Sequence, residues 1–299
     1  MASTRDVDIP TYDGLKLRGT LYYVGQDKPC IIMSSGWSGL RGHFHPDFAE
    51  RFNAAGYGVL AYDNRCWGES EGLPRDEVDP SLQTRDYFDV FNFASTQPEV
   101  DAAKIVYWGS SMSGGNAICA AAVNKKIAGV ILQVPLVSGE AITRTPGMST
   151  SLFVLDRGKT VATGSHSKIA NFPSSLEELM SGTSTAVLKD PEALQFTEEM
   201  EKRGMNWSKA CTVQSLANAV LHEPAAYIHR ISPTPMLMIV SGNDVVTQTH
   251  LQLEAFQKAL EPKKLKLLQG VGHFAPYFGK TFEENVKAQV GFLNEIFGG

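Results

Sequence analysis

The stretch Trp108-Gly109-Ser110-Ser111-Met112-Ser113-Gly114-Gly115 joins an apolar run to a segment of small residues. It fits a nucleophile elbow, G-x-S-x-G, with Ser113 in place of the second glycine. A reactive serine must project from a sharp strand-to-helix turn, and its neighbours must be small enough for the backbone to bend. Ser110 and Ser113 are competing hydroxyls. The register favours Ser111, two residues beyond Gly109 at the strand end. A serine nucleophile needs a base and a carboxylate that orients the base. Asp244 follows one late apolar run, in Ser241-Gly242-Asn243-Asp244. His273 follows the next, in Gly270-Val271-Gly272-His273-Phe274. They lie 29 residues apart (273 − 244), the length of one strand–helix–strand unit, so both loops fall on the same sheet edge as the elbow. A developing oxyanion needs two N–H donors. Met112, after the nucleophile, would give one. Trp37, in Ser34-Ser35-Gly36-Trp37-Ser38-Gly39, would give the other, and its indole would wall the acyl pocket.

The elements that must carry these residues are legible as punctuated apolar runs. Residues up to 23 form a hairpin around the Asp13-Gly14 turn. Strands are expected at 30–33, 57–62, 104–108, 127–133, 235–240 and 264–268. Helices are expected at 48–55, 82–94, 114–122, 250–260 and 282–296. Alternating apolar strands and helices imply an α/β fold, a mostly parallel sheet covered on both faces with right-handed crossovers. Residues 138–224 break that rhythm. Helical spacing returns at 176–180, 191–203 and 213–220, with no clear strand. The expected organisation is a core of 1–137 and 225–299 with a helical cap at 138–224. Leu152, Phe153, Val154, Leu155, Phe196 and Trp207 argue that the cap is folded.

Length and charge narrow the class. A chain of 299 residues with 43% hydrophobic and 20% charged residues is an ordinary globular protein. A net charge of -5 speaks against nucleic acid, and no polybasic run suits an anionic membrane. No apolar stretch reaches the ~20 residues that cross a bilayer. The N-terminus lacks a signal-peptide core. Cys30, Cys66, Cys119 and Cys211 form no C-x-x-C pair and read as reduced thiols of a cytoplasmic protein. His43 and His45 lie in a Gly/Arg-rich loop and read as solvated rather than metal-binding. His166, His222, His229 and His250 are not read as the base.

These features together resemble the α/β-hydrolase superfamily. Ala61-Tyr62-Asp63-Asn64-Arg65-Cys66-Trp67-Gly68-Glu69-Ser70-Glu71-Gly72 is similar to its D-x-R-G-x-G-x-S segment, which makes Asp63 structural rather than the acid. The elbow, Glu223-Pro224-Ala225-Ala226-Tyr227 and Gly272-His273-Phe274-Ala275-Pro276-Tyr277 look like a capped branch. That branch is related to dienelactone hydrolases and to fungal polyketide transferases and thiohydrolases. Ser35, Cys66, Ser113 and Ala275 depart from residues common among such relatives, and Ser111 stands where dienelactone hydrolases carry cysteine.

The expectation is therefore an α/β-hydrolase fold with an inserted helical cap. Its activity would be that of a serine hydrolase on an acyl ester, lactone or thioester, including a polyketide-type intermediate. Ser111, His273 and Asp244 would be catalytic, and the N–H groups of Trp37 and Met112 would hold the oxyanion. Trp37, Met148 and Phe153, with Leu152, Leu155 and Met180, would line an apolar acyl pocket. No metal and no organic cofactor is expected. The partner is a small acyl substrate, free or on a carrier protein, and a homodimer is left open. The rivals are an acyltransferase, cyclase or C–C-cleaving enzyme using the same serine, and a ligand-binding protein on the same fold.

Overall fold

The computed structural model describes residues 3–143 and 149–298. The chain begins with a hairpin of β1 (Ser3–Pro10) and β2 (Lys16–Tyr23), whose turn places Gly14 at φ +87. Alternation buries Val7 and Ile9 of β1 and Leu17 and Leu21 of β2. Then β3 (Lys28–Ser34), α1 (His45–Ala54), β4 (Gly58–Tyr62), α2 (Pro80–Ala94), β5 (Val100–Ser110), α3 (Met112–Val123) and β6 (Gly129–Gln133) follow in turn.

Between β6 and the next sheet strand lies a long insertion. It contains α4 (Glu140–Thr143), α5 (Ser151–Thr163), β7 (Lys168–Ala170), α6 (Leu176–Met180), α7 (Glu192–Lys202), β8 (Ala210–Thr212) and α8 (Val213–Val220). The sheet resumes with β9 (Met236–Ser241), α9 (Thr249–Lys258), β10 (Lys263–Leu268) and α10 (Gly279–Phe297).

The eight-stranded sheet runs β1-β2-β4-β3-β5-β6-β9-β10. Within this sheet, among the described residues, only β1–β2 and β2–β4 pair antiparallel. Central strands such as β4 and β6 are buried at every position, as a sheet covered on both faces requires. Ile32, Leu60, Tyr107 and Leu132 pack with residues of α2 and α3 on one side. Ile31, Val59, Val106 and Ile131 pack with residues of α1 and α10 on the other. Register then aligns the strand ends: Ser34 of β3 lies opposite Gly109 of β5, and Leu268 of β10 opposite Ser241 of β9. The loops bearing Trp37, Ser111, Asp244 and His273 thus leave one edge of the sheet.

The insertion departs from the sequence expectation in three respects. First, β7 and β8 pair antiparallel, Lys168 opposite Thr212, where no strand is expected. Three residues are too few to display a period of two. Second, α5 is a helix of 13 residues in a stretch with no expected element. Third, the apolar run on α5 faces mainly outward. Val154 and Leu155 are 73% and 69% exposed, Leu152 is also exposed, and Phe153 alone of the four is buried.

Candidate active site

The turn from β5 to α3 is one residue long. Ser111 adopts φ 55 and ψ −120, a left-handed conformation that a side chain seldom takes. Two backbone bonds hold it there: Ser111 N–H donates to Gln133 O at 2.9 Å, and Leu136 N–H donates to Ser111 O at 2.8 Å. The elbow needs glycine at 109, because a Cβ there would run into the Ser113 carbonyl.

Ser111 Oγ lies 3.0 Å from His273 Nε2, and His273 Nδ1 lies 2.8 Å from Asp244 Oδ2. The Asp244 carboxylate accepts the Nδ1 proton, which leaves Nε2 free to accept from the serine hydroxyl. Asp244 is nested in further donors. Oδ2 accepts from Thr247 Oγ1 at 2.8 Å and Gln252 Nε2 at 3.0 Å. Oδ1 accepts from the N–H groups of Val246 and Thr247, both at 2.9 Å. Burial alone would raise the Asp244 pKa, yet the His273 charge and the bonds from His273 and Thr247 hold it below the usual carboxylate value. Asp63, by contrast, accepts from Arg41 N and Glu69 N and pairs with the Arg41 guanidinium, away from His273.

The loop after β3 presses on the serine. A Cβ at Gly36 would sit 2.8 Å from Ser111 Cβ and 2.9 Å from Ser110 O. Ser113, the departure in the elbow, donates its hydroxyl to Ser35 O, and Asn64 Nδ2 donates to the same carbonyl at 2.9 Å. The peptide before Gly36 is therefore fixed from the core side. No acceptor among the described residues takes the N–H of Trp37 or of Met112. Met112 follows Ser111 directly, and Trp37 follows Gly36, the glycine that lies against Ser111.

Two cavities meet at Ser111. The larger, about 140 Å³, is walled by Trp37, Met112, Leu136, Ile142, Val187 and Leu188. The smaller, about 30 Å³, lies among Phe44, Phe172, Phe196, Phe274 and Met200. Trp37 and Leu188 border both. Phe153 lines neither of them; it packs in one cluster with Trp37, Leu136 and Leu216. Met180 is exposed, and Met148 lies outside the described residues.

His43 and His45 correct the expectation of a solvated loop. Both are buried and border the smaller cavity. His43 Nδ1 accepts from Leu40 N–H at 3.0 Å, and its ring stands edge-on to Trp207. His45 Nε2 lies 3.2 Å from Ser35 Oγ. Burial, with the Arg203 charge nearby, pushes His43 down to about 4; burial, with His43 nearby, pushes His45 down to about 3. Both are neutral near pH 7. Among the described residues, no cluster of three or more His, Cys, Asp or Glu could hold a metal. No described helix is long and apolar enough to cross a membrane.

Two residues of this arrangement, Asn64 and Gln252, carry no readable signal in the sequence. Thr247 follows Asp244 by three residues, the spacing at which an Asp side chain caps a turn, and that is the one pattern that could have found it.

Residues 25–275 match the model of a family described as serine aminopeptidase, S33. The thiohydrolase aneE of Aspergillus aculeatus is 32% identical over 298 residues, covering 98% of this chain and 94% of that one. The polyketide transferase ATR5 of Stachybotrys chlorohalonatus is 29% identical, with 97% of each chain covered. The crystal structure of the α/β hydrolase GrgF from Penicillium sp. sh18 superposes with a TM-score of 0.86 at 28% identity, covering 99% of this chain and 100% of that one.

Proposed function

The chain belongs to the serine aminopeptidase S33 family of α/β hydrolases, and from that premise we propose that it is a serine hydrolase of acyl thioesters, working through Ser111, His273 and Asp244. The observation that carries this reading is the continuous chain of contacts from Ser111 Oγ through His273 to Asp244. In the first half-reaction His273 Nε2 takes the Ser111 proton as Oγ bonds to the acyl carbon. The carbonyl oxygen becomes an oxyanion, held by the N–H groups of Trp37 and Met112. Collapse breaks the C–S bond, and His273 returns the proton to the departing thiolate. In the second half-reaction His273 takes a proton from water, the hydroxide adds to the acyl carbon, and Ser111 leaves with that proton. Asp244 holds the imidazole in the productive tautomer and offsets its transient charge.

Thioester, rather than oxygen ester or lactone, is favoured by the thiohydrolase among the relatives. The walls of the larger cavity suit an aliphatic acyl chain, delivered free or on a carrier protein. Residues 138–224 act as the cap that closes over it. Free cysteines at 30, 66, 119 and 211 suit a cytoplasmic setting. A second reading, transfer of the acyl group to an alcohol or amine, is favoured by the polyketide transferase among the relatives.

The test is kcat/KM on matched thioesters and oxygen esters of graded acyl length, with Ser111→Ala as control. The expected result is a thioester preference and a loss on the order of 10⁶-fold in the variant. Turnover that Ser111→Ala leaves intact would overturn the assignment of the nucleophile. Preference for oxygen esters would replace thiohydrolase by esterase, and product formed only with an added alcohol or amine would make the protein a transferase.

A further inference from the structure

The insertion and the loop after β3 are joined by two indole hydrogen bonds that run in opposite directions. Trp37 Nε1–H, from the loop, donates to Asn171 Oδ1 at 2.9 Å. Trp207 Nε1–H, from the insertion, donates to Ser38 O at 2.8 Å. The two bonds bracket the peptide between Trp37 and Ser38, next to the Trp37 N–H, which no described acceptor takes.

Asn171 is built as an anchor. It is fully buried, and each of its polar groups is engaged. Its N–H donates to Lys209 O at 2.8 Å, its Nδ2 to Ser208 O at 3.3 Å, and its carbonyl accepts from Leu188 N–H at 3.0 Å. A residue with three bonds besides the indole's has little freedom to follow the indole. The indole must come to it. Trp207 is fixed by rings on two sides, its centroid 5.7 Å from both His43 and Phe172. Ser38, which receives its bond, has φ 56, a conformation that needs support from outside the loop.

The core fixes the other end of the same loop through Ser35 O. The core therefore sets where the loop begins, and the insertion sets where Trp37 and Ser38 stand. We propose that Asn171 and Trp207 are positioning residues for the oxyanion hole, so that the site is complete only with the insertion seated. This rests on the serine-hydrolase reading above, in which the Trp37 N–H binds the oxyanion. An oxyanion donor is useful only within a few tenths of an ångström of its place, and loss of one costs about 10²- to 10³-fold in kcat. A donor displaced rather than removed costs a part of that.

The experiment compares Asn171→Leu, Trp37→Phe and Trp207→Phe with the wild-type chain. It measures kcat, KM, thermal midpoint, affinity for an acyl-chain boronic acid and affinity for the carboxylate product. The boronate adds to Ser111 and mimics the tetrahedral oxyanion; the carboxylate reports ground-state binding. Asn171→Leu and Trp207→Phe are each expected to lose about 10-fold or more in kcat with KM within about twofold. Boronate affinity should fall in parallel while product affinity holds. Asn171→Leu added to Trp37→Phe should cost little more, because both break one bond. The inference is overturned if Trp207→Phe and Asn171→Leu keep kcat within about twofold, or if their loss appears in KM and product affinity instead. Should Asn171→Leu fail to fold, Trp207→Phe decides alone. If the wild-type chain shows no turnover that depends on Ser111, the functional reading fails instead, and boronate binding is lost in every chain, the wild type included.

Discussion

The sheet edge and the insertion hold their site residues by different means. At the sheet edge, position follows from backbone. Strand register brings the ends of β3, β5 and β9 together, glycine at 36 and 109 admits the close approach, and main-chain bonds lock Ser111 in its conformation. In the insertion, position follows from side chains. The rings of Phe172, Phe196 and Trp207 and the amide of Asn171 reach the site, while Leu152, Val154 and Leu155 of α5 are exposed among the described residues. A site fixed by backbone tolerates many sequences around it, whereas one fixed by side chains changes with each of them. The chemistry therefore belongs to the sheet edge, and the shape of what is bound belongs to the insertion.

That contrast is sharpest at Gly36. Gly36→Ala drives a methyl group to 2.8 Å from Ser111 Cβ. It should lower kcat by about 100-fold or more by displacing the oxyanion donors. Kinetics alongside circular dichroism checks this, and near-wild-type activity would show that the edge is not held by close backbone approach.

A smaller effect is expected one layer out, at Gln252, whose amide donates to Asp244 and Thr247 at 3.0 Å each. Gln252→Leu removes a donor that favours the carboxylate, so the Asp244 pKa rises from its depressed value. The carboxylate then holds the imidazole less firmly, and kcat/KM near pH 7 drops about tenfold. Steady-state kinetics at pH 7 reads this, and an unchanged kcat/KM would show that the backbone donors of Val246 and Thr247 suffice.

The smallest effect is expected on the insertion's outer face. Val154→Ser and Leu155→Ser should each change unfolding free energy by no more than about 0.5 kcal/mol. Chemical denaturation measures it, and a loss above about 2 kcal/mol would mean that α5 is covered by something in solution.

The same division governs what the sequence reveals. The elbow, the late aspartate and the late histidine are legible because strands announce themselves as apolar runs and the loops follow directly. The sheet, the hairpin and the terminal helix α10 are legible for that reason too. In the insertion, helices α6, α7 and α8 show through their spacing, but α5 does not. Its apolar residues at 152–155 are consecutive rather than periodic, and Gly158 interrupts it at a position where no neighbour requires glycine. The burial of His43 and His45 is hidden for another reason. The ring beside His43 is Trp207, which stands 164 residues further on (207 − 43), so composition near the loop says nothing of its cover. Asn171 and Trp207 are hidden likewise, since each meets its partner across more than 130 residues.

The buried imidazoles of His43 and His45 also tie folding to proton uptake. An unfolded chain exposes both rings, and each then binds a proton below a pH of about 6.5. The folded chain refuses those protons until about pH 4 at His43 and about pH 3 at His45. Across that interval the unfolded state holds more protons than the native one, so stability falls as pH falls. Their contribution is complete above the unfolded value and is spent by the time the folded values are reached. Folding in mild acid is thus a proton-releasing reaction, and the segment from His43 to His45 contributes to an acid limit on the protein that bears it.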